Sequence, residues 1–200
     1  MPRDKDSVFL NLPYDEKFQI LFLGYIAGVS AFGMLPRATL EIPGGERRLE
    51  RIRGLIAQCR YSVHDLSRVQ LDRRVPATPR FNMPFELGLA VAHAKQNSQH
   101  TFYVFEEMKY RLSKSLSDLD GTDVYIHGAT LNGLFGQLAD AFVRADRQPS
   151  VSQMWTIYRK IRVWLPEVLK GSGADTVFRA RPFSDLSTFA SVVADEVVSK

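Results

Sequence analysis

The sequence has little cysteine and no long apolar run. Its one cysteine, Cys59, excludes a disulfide within the chain and any metal site built from several cysteines. No stretch reaches the roughly 20 uninterrupted apolar residues of a membrane helix. The nearest candidate, residues 18–35, is broken by Gln19 and by glycines, and predicts a buried helix. The first residues also lack the apolar region of a signal peptide, so we expect a cytoplasmic protein.

Several catalytic motifs are missing as well. Gly44 and Gly45 lack the lysine and the spacing of a phosphate-binding P-loop. No nucleophile elbow surrounds Ser67, which argues against a serine hydrolase. The four histidines show no paired spacing, so no metal is expected, and His64 reads as a core residue of a strand. Cys59 closes an apolar stripe and is predicted to be a buried, unreactive thiol.

What the sequence does have is a globular composition with a mild positive charge. Hydrophobic residues make up 45% of the chain, enough for a real core, and the net charge is +4. Arginines cluster around residues 47–53 and 68–80, which suits a phosphate-bearing ligand. No zinc-finger, helix-turn-helix or RNA-binding motif accompanies them, so we do not expect nucleic acid as a partner.

Strands and helices alternate over the first three quarters of the chain. Apolar segments predict strands at 7–12, 35–42, 61–66, 101–105 and 123–127, and helical spacing predicts helices ending near 32 and covering 46–59, 84–95 and 131–144. This alternation predicts an α/β domain over residues 1–148, with a flavodoxin-like five-stranded parallel sheet and helices on both faces.

Residues 149–200 predict a C-terminal helical extension. Amphipathic spacing indicates one helix at 151–170, which Pro166 kinks or ends, and another at 183–198, capped by Ser184. Residues 171–173, Gly-Ser-Gly, read as a linker between them. We expect this tail to pack on the domain or on a partner, such as a second copy of the chain in a homo-oligomer.

Polar residues occur where the predicted strands end, which is where ligands bind in open parallel sheets. Asn11 and Tyr14 follow the first strand, Asp65 ends the third, and Asn82 and Glu86 open the next helix. We expect Asp65 and Glu86 to face each other and hold a ribose, with one carboxylate stabilising or attacking the anomeric carbon. The structural alternatives are that Glu86 stabilises a helix start and that Asp65 caps a turn.

Three segments resemble the nucleoside 2-deoxyribosyltransferase and bacterial TIR-like superfamily. FNMPFELGLAVA is similar to the start of its catalytic helix, and the resemblance makes Glu86 the catalytic carboxylate. VFLNLPY resembles its first strand, which implies that Tyr14 lines the pocket. YSVHDLSR resembles the strand whose terminal aspartate contacts the ribose, here Asp65. Asn82 to Phe85 is nearer the TIR-like branch, whereas the turn after the first strand is not typical of it.

The two branches imply different reactions on an N-glycosidic bond. The TIR-like branch implies hydrolysis of NAD to nicotinamide and ADP-ribose, often in antiviral defence, and the other implies transfer or hydrolysis of a nucleoside base. A non-catalytic nucleotide sensor is a third alternative. Arg37, Arg68 and Asp120 are further candidates for binding the substrate, and Arg73 and Arg80 suit its phosphates, which favours a nucleotide such as NAD. No cofactor is implied.

Overall fold

The computed structural model of the protein describes residues 6–41, 47–69, 71–72 and 75–198, and a parallel sheet lies at its centre. The strands are β1 (Ser7–Asn11), β2 (Leu35–Arg37), β3 (Tyr61–Asp65), β4 (Leu71–Asp72), β5 (Thr78–Pro79), β6 (Thr101–Glu106) and β7 (Val124–Ile126). Five of them form the sheet in the order β2-β1-β3-β6-β7, with every pairing parallel. This is the predicted flavodoxin-like arrangement. β4 and β5 form a separate antiparallel ribbon.

Helices cover both faces of the sheet. They are α1 (Gln19–Ala31), α2 (Arg48–Gln58), α3 (Asn82–Gln96), α4 (Arg111–Ser115), α5 (Leu131–Ala141), α6 (Val151–Ser172) and α7 (Ala180–Val198). α2 and α3 pack against each other and against β1, on one face. α1 and α5 pack on the other face, and α6 and α7 form a further layer over α1. The C-terminal helices therefore pack on the α/β domain, one of the two predicted outcomes.

The helix α1 is buried on all sides, because the sheet, α5, α6 and α7 surround it. Eleven of its 13 residues are buried, which explains why its sequence is apolar all round rather than amphipathic. Gly24 and Gly28 face α5, where an added Cβ would collide with the side chains of Leu131 and Leu138. Met154 of α6 belongs to the same continuous core. No helix in the described ranges is long and apolar enough to cross a membrane.

The second strand is shorter than predicted. β2 ends at Arg37, and a 3₁₀ turn follows over Thr39–Glu41. The Ala38 N–H donates to the Glu41 carboxylate at 2.6 Å instead of continuing the ladder, so the local side chain ends the strand. The predicted Pro-Gly-Gly turn at 43–45 and the side chain of Arg73 lie outside the described residues.

The C-terminal helices are longer than predicted. α6 continues through the expected linker to Ser172 and ends at Gly173, whose φ of 64° is the left-handed conformation that suits glycine. Pro166 lies inside α6 on its exposed side, where the backbone carbonyl that loses its donor can meet water. α7 begins at Ala180, so Ser184 lies within the helix and is not its cap.

Candidate functional site

A cavity of about 310 Å³ lies beyond the carboxyl end of β1. The sheet order reverses between β1 and β3, and parallel sheets of this kind bind ligands at that switch point. The cavity is lined by residues from the ends of β1, β2 and β3 and from the starts of α2 and α3: Asn11, Leu12, Pro13, Tyr14, Thr39, Arg48, Arg68, Arg80, Asn82, Met83 and Glu86. Five of the predicted site residues, Asn11, Tyr14, Arg68, Asn82 and Glu86, are thus brought together.

Glu86 is the buried acidic group of this cavity. It is 3% exposed, and burial raises the pKa of its carboxyl group to about 7, although the nearby guanidinium of Arg48 acts in the opposite direction. Arg48 Nη2 lies 3.5 Å from Glu86 Oε1. α3 begins at Asn82, so Glu86 lies one turn inside the helix, beyond its free backbone N–H groups. Stabilisation of the helix start therefore does not explain this carboxylate.

Tyr14 forms an aromatic wall of the cavity. Its hydroxyl group lies 3.2 Å from Thr39 Oγ1, and burial raises its pKa to about 12, so it stays neutral at physiological pH. Its ring packs edge-on against Phe22 of α1, with the centroids 6.0 Å apart. It also contacts Phe178, between α6 and α7, at 5.9 Å. The C-terminal layer thus reaches the wall of the cavity.

Arginine side chains give the cavity an excess of positive charge. Arg68 Nε and Arg80 Nη1 lie 3.4 and 3.0 Å from the same oxygen of Asp15, Oδ2. Arg48, the first residue of α2, pairs with Glu86. Among the described residues, the lining carries three guanidinium groups and one carboxylate, and all three arginine side chains are partly exposed. This arrangement suits an anionic group such as a phosphate.

Asp65 does not line the cavity, contrary to the expectation that it faces Glu86. Side chains alternate along a strand, so Asn11 and His64 point to the α2–α3 face, whereas Asp65 points to the α1–α5 face. It is fully buried there, and its Oδ2 accepts from the Tyr25 hydroxyl at 2.7 Å. The Ser67 N–H donates to Oδ1 at 2.9 Å. The expected pairing of the two carboxylates is therefore wrong, because Asp65 and Glu86 lie on opposite faces of the sheet.

Ser67, His127 and Asp65 lie close together but do not form a catalytic triad. His127 Nε2 is 3.1 Å from both Ser67 Oγ and Asp65 Oδ2, whereas a triad uses opposite nitrogens of the ring for these contacts. The other nitrogen, Nδ1, accepts from the Ala129 N–H. Ser67 is also 1% exposed. The cluster is a satisfied buried network, in agreement with the absence of a nucleophile elbow from the sequence.

Two more predicted binding residues lie elsewhere. Arg37 Nε pairs with Glu41 Oε2 at 2.7 Å and does not line the cavity. Asp120 is exposed and lines a separate, smaller cavity of about 160 Å³ beside β7. Arg37 lies at the end of β2 as predicted, but its side chain is held by Glu41. Asp120 precedes β7, which is separated from β1 by β3 and β6.

Two polar residues of the cavity, Thr39 and Arg48, were not predicted from the sequence. Arg48 belongs to a visible run of arginines, but nothing in that run shows which side chain approaches Glu86. Thr39 follows β2 in a segment that was predicted to continue the strand, so its contact with Tyr14 was hidden. His64 and Cys59 are buried as predicted, and burial shifts the pKa of His64 down to about 3 and that of Cys59 up to about 11.

Neither a cluster of metal-ligating side chains in the described residues nor a match to a known protein accompanies this site. Within the described ranges, no group of three or more histidine, cysteine, aspartate or glutamate side chains could hold a metal ion. No protein-family model matches the chain, and no curated protein is significantly similar to it. The geometry of the cavity and the short motifs described above are therefore the features that bear on its function.

Proposed function

We propose that the protein cleaves the N-glycosidic bond of a nucleotide, with Glu86 as the catalytic carboxylate. NAD is the preferred substrate, and nicotinamide and ADP-ribose are the products. The observation that carries the proposal is a buried glutamate in a positively charged cavity at the switch point of a parallel sheet. The resemblance of the surrounding motif to the TIR-like branch supports the same reaction and a role in antiviral defence.

The chemistry requires a negative charge beside the anomeric carbon. When the bond from C1′ to the nicotinamide nitrogen breaks, its electron pair leaves with the neutral base and positive charge develops on the ribose. The Glu86 carboxylate stabilises that charge, and water then forms the new bond to C1′. The proton that the water loses passes to Glu86, whose pKa of about 7 allows it to accept and release a proton near neutral pH.

The other polar groups of the cavity have binding roles in this proposal. Arg68 and Arg80 bind phosphate oxygens, which favours a nucleotide over an uncharged nucleoside. Tyr14 supports the base with its ring. Asn11 and Asn82 bind the sugar. The cavity volume is near the lower end of the range for small-molecule sites, which suits one half of a dinucleotide.

The test is release of free base from a panel of substrates. Purified protein at high concentration is incubated with NAD, nucleosides and nucleoside monophosphates, and free base is measured by chromatography. We expect nicotinamide from NAD, and a loss of at least about 100-fold in Glu86→Gln. Asp120→Asn is the matched control, because it removes an exposed carboxylate outside the cavity.

The other outcomes separate the alternatives. Base exchange with an added free base, in preference to hydrolysis, would indicate the transferase branch. Tight nucleotide binding by calorimetry without turnover would indicate a sensor. Base release that survives Glu86→Gln, or neither release nor binding with any nucleotide, would refute the proposed reaction.

A further inference from the structure

We infer that His64 is a positioning residue that presents the Asn11 side-chain oxygen to the cavity as the acceptor for a ribose hydroxyl group. The inference rests on the proposed function for the identity of the ligand, but the orientation of Asn11 follows from the fold. It depends on a chain of hydrogen bonds that runs from the cavity along β3, on the α2–α3 face of the sheet.

The orientation of the Asn11 amide is determined at the cavity. Its Nδ2 lies 3.2 Å from the carbonyl oxygen of Met83, in the first turn of α3. A carbonyl oxygen only accepts hydrogen bonds, so the atom that faces it must be the NH₂ group. The same NH₂ lies 3.0 Å from His64 Nδ1, because Asn11 and His64 are opposite each other in the register of β1 and β3. His64 Nδ1 therefore accepts, and its proton is on Nε2.

The far end of this series of hydrogen bonds independently requires the same placement of the protons. His100 Nδ1 lies 2.9 Å from the carbonyl oxygen of Cys59, so this nitrogen must donate. Burial lowers the pKa of His100, which leaves Nε2 as an acceptor. Ser62 Oγ is 3.1 Å from His100 Nε2 and 3.0 Å from His64 Nε2. Ser62 thus accepts from His64 and donates to His100. Both ends therefore require that the hydrogen bonds are donated in the direction from Asn11 to His100.

This order leaves one polar atom of Asn11 for a ligand. Asn11 is 3% exposed, lines the cavity, and has both amide protons engaged by Met83 and His64. Its Oδ1 has no hydrogen-bond partner in the part of the chain that the structure describes. Because each donor in the chain polarises the next, donation by the NH₂ group makes this oxygen a stronger acceptor. A hydroxyl of the sugar is the donor that a nucleotide would place beside Glu86.

The first experiment measures the protons themselves. Two-bond ¹⁵N–¹H NMR spectra of the unliganded protein identify which imidazole nitrogen carries hydrogen. We expect the Nε2–H tautomer for His64 and the Nδ1–H tautomer for His100. The opposite tautomer at His64, or a protonated ring at neutral pH, would overturn the inference whether or not the protein is an enzyme.

The second experiment tests the acceptor with ligands. Affinities for NAD and for its 2′-deoxy and 3′-deoxy analogues at the ribose beside nicotinamide are measured by calorimetry in the Glu86→Gln background, which prevents turnover. One deoxy analogue should bind about tenfold more weakly, the size of one hydrogen bond. Asn11→Leu and His64→Leu should abolish that difference, whereas His64→Gln, which keeps an acceptor for the Asn11 amide, should restore part of it.

The two proposals fail in different ways. Base release by the wild-type protein with unchanged deoxy discrimination in Asn11→Leu would overturn the acceptor role and leave the reaction intact. No base release, together with the expected tautomers and deoxy discrimination, would refute the reaction and leave the positioning role. If neither leucine variant folds, as judged by thermal melting, the tautomers and the deoxy affinities of the Glu86→Gln protein still decide the question. Equal affinities for all three ligands would overturn the acceptor role.

Discussion

The two faces of the sheet treat a buried carboxyl group in opposite ways. On the α1–α5 face, Asp65 is surrounded by donors from Tyr25, His127 and the Ser67 backbone. On the α2–α3 face, Glu86 is nearly as buried but faces a cavity, with the Arg48 guanidinium, 3.5 Å away, as its charge partner. The first arrangement satisfies the acidic group and stabilises the fold, whereas the second leaves it with capacity for a ligand.

Replacing Asp65 should have the largest effect on stability. In Asp65→Asn the NH₂ group meets either the Tyr25 hydroxyl and His127 Nε2 or the Ser67 N–H, so buried donors oppose each other in both orientations of the amide. We expect the free energy of unfolding to fall by about 3 kcal/mol, measured by urea denaturation at pH 7. Ser67→Ala, which keeps the backbone donor, should cost less. A neutral Asp65→Asn would contradict the structural role.

Glu86→Gln should change stability in the opposite direction. The carboxyl pKa is raised by burial to about 7, so the folded state favours the neutral acid, and the wild type loses stability relative to the glutamine variant as pH rises from about 4.5 to about 7. At pH 8 we expect the variant to be more stable by about 2 kcal/mol, and at pH 4 to be equal. Denaturation curves at the two pH values measure this difference. A Glu86→Gln variant that is less stable than the wild type at pH 8 would show that the Glu86 carboxylate stabilises the fold, as Asp65 does on the other face.

Loss of the contact between Phe178 and Tyr14 should have smaller effects, on both the stability of the fold and the KM for base release. Phe178→Ala removes a half-buried ring beside the cavity wall and should destabilise the fold by about 1–2 kcal/mol. It should also raise KM for base release several-fold, because Tyr14 loses a neighbour that positions it. Phe189→Ala, which removes a ring stacked on Trp164 far along α7, is the control for stability alone. An equal change of KM in both variants would contradict the positioning of Tyr14.

Arg48→Gln should shift the pH dependence without abolishing the reaction. The guanidinium lowers the pKa of Glu86, so its removal should raise that pKa and move the rising limb of base release to higher pH. The profile of kcat/KM from pH 5 to 9 measures the shift. Arg53→Gln, on the same helix but outside the cavity, is the matched control. A shift to lower pH would show that Glu86 is not the group that titrates.

The sequence predicted the sheet well because its signals are local. Strands buried on both sides are continuous apolar runs, and the segments at 7–12, 61–66 and 101–105 match β1, β3 and β6 within one residue. The strand predicted at 35–42 was too long, because the Glu41 carboxylate accepts a hydrogen bond from the backbone N–H of Ala38, the residue after β2. The short ribbon of β4 and β5 and the five-residue α4 have no periodicity long enough to detect.

The candidate site was predictable where its residues come from one segment. Asn82 and Glu86 lie on the same helix, and Asn11 ends the strand that Tyr14 follows, so each pair could be placed together. The predicted position of Asp65 was wrong, because residues one position apart on a strand point to opposite faces of the sheet. Arg48 approaches Glu86 from another helix, and the sequence carries no signal for that tertiary contact.

The layer that α6 and α7 form over α1 has a consequence for synthesis on the ribosome. α1 is made early, whereas the helices that cover its outer side, α6 and α7, follow much later in the sequence. Until α6 and α7 have emerged, the outer side of α1 is uncovered, and Tyr14 lacks its contact with Phe178. A nascent chain that still lacks α6 and α7 therefore exposes apolar surface of α1, and its cavity wall lacks the contact between Phe178 and Tyr14.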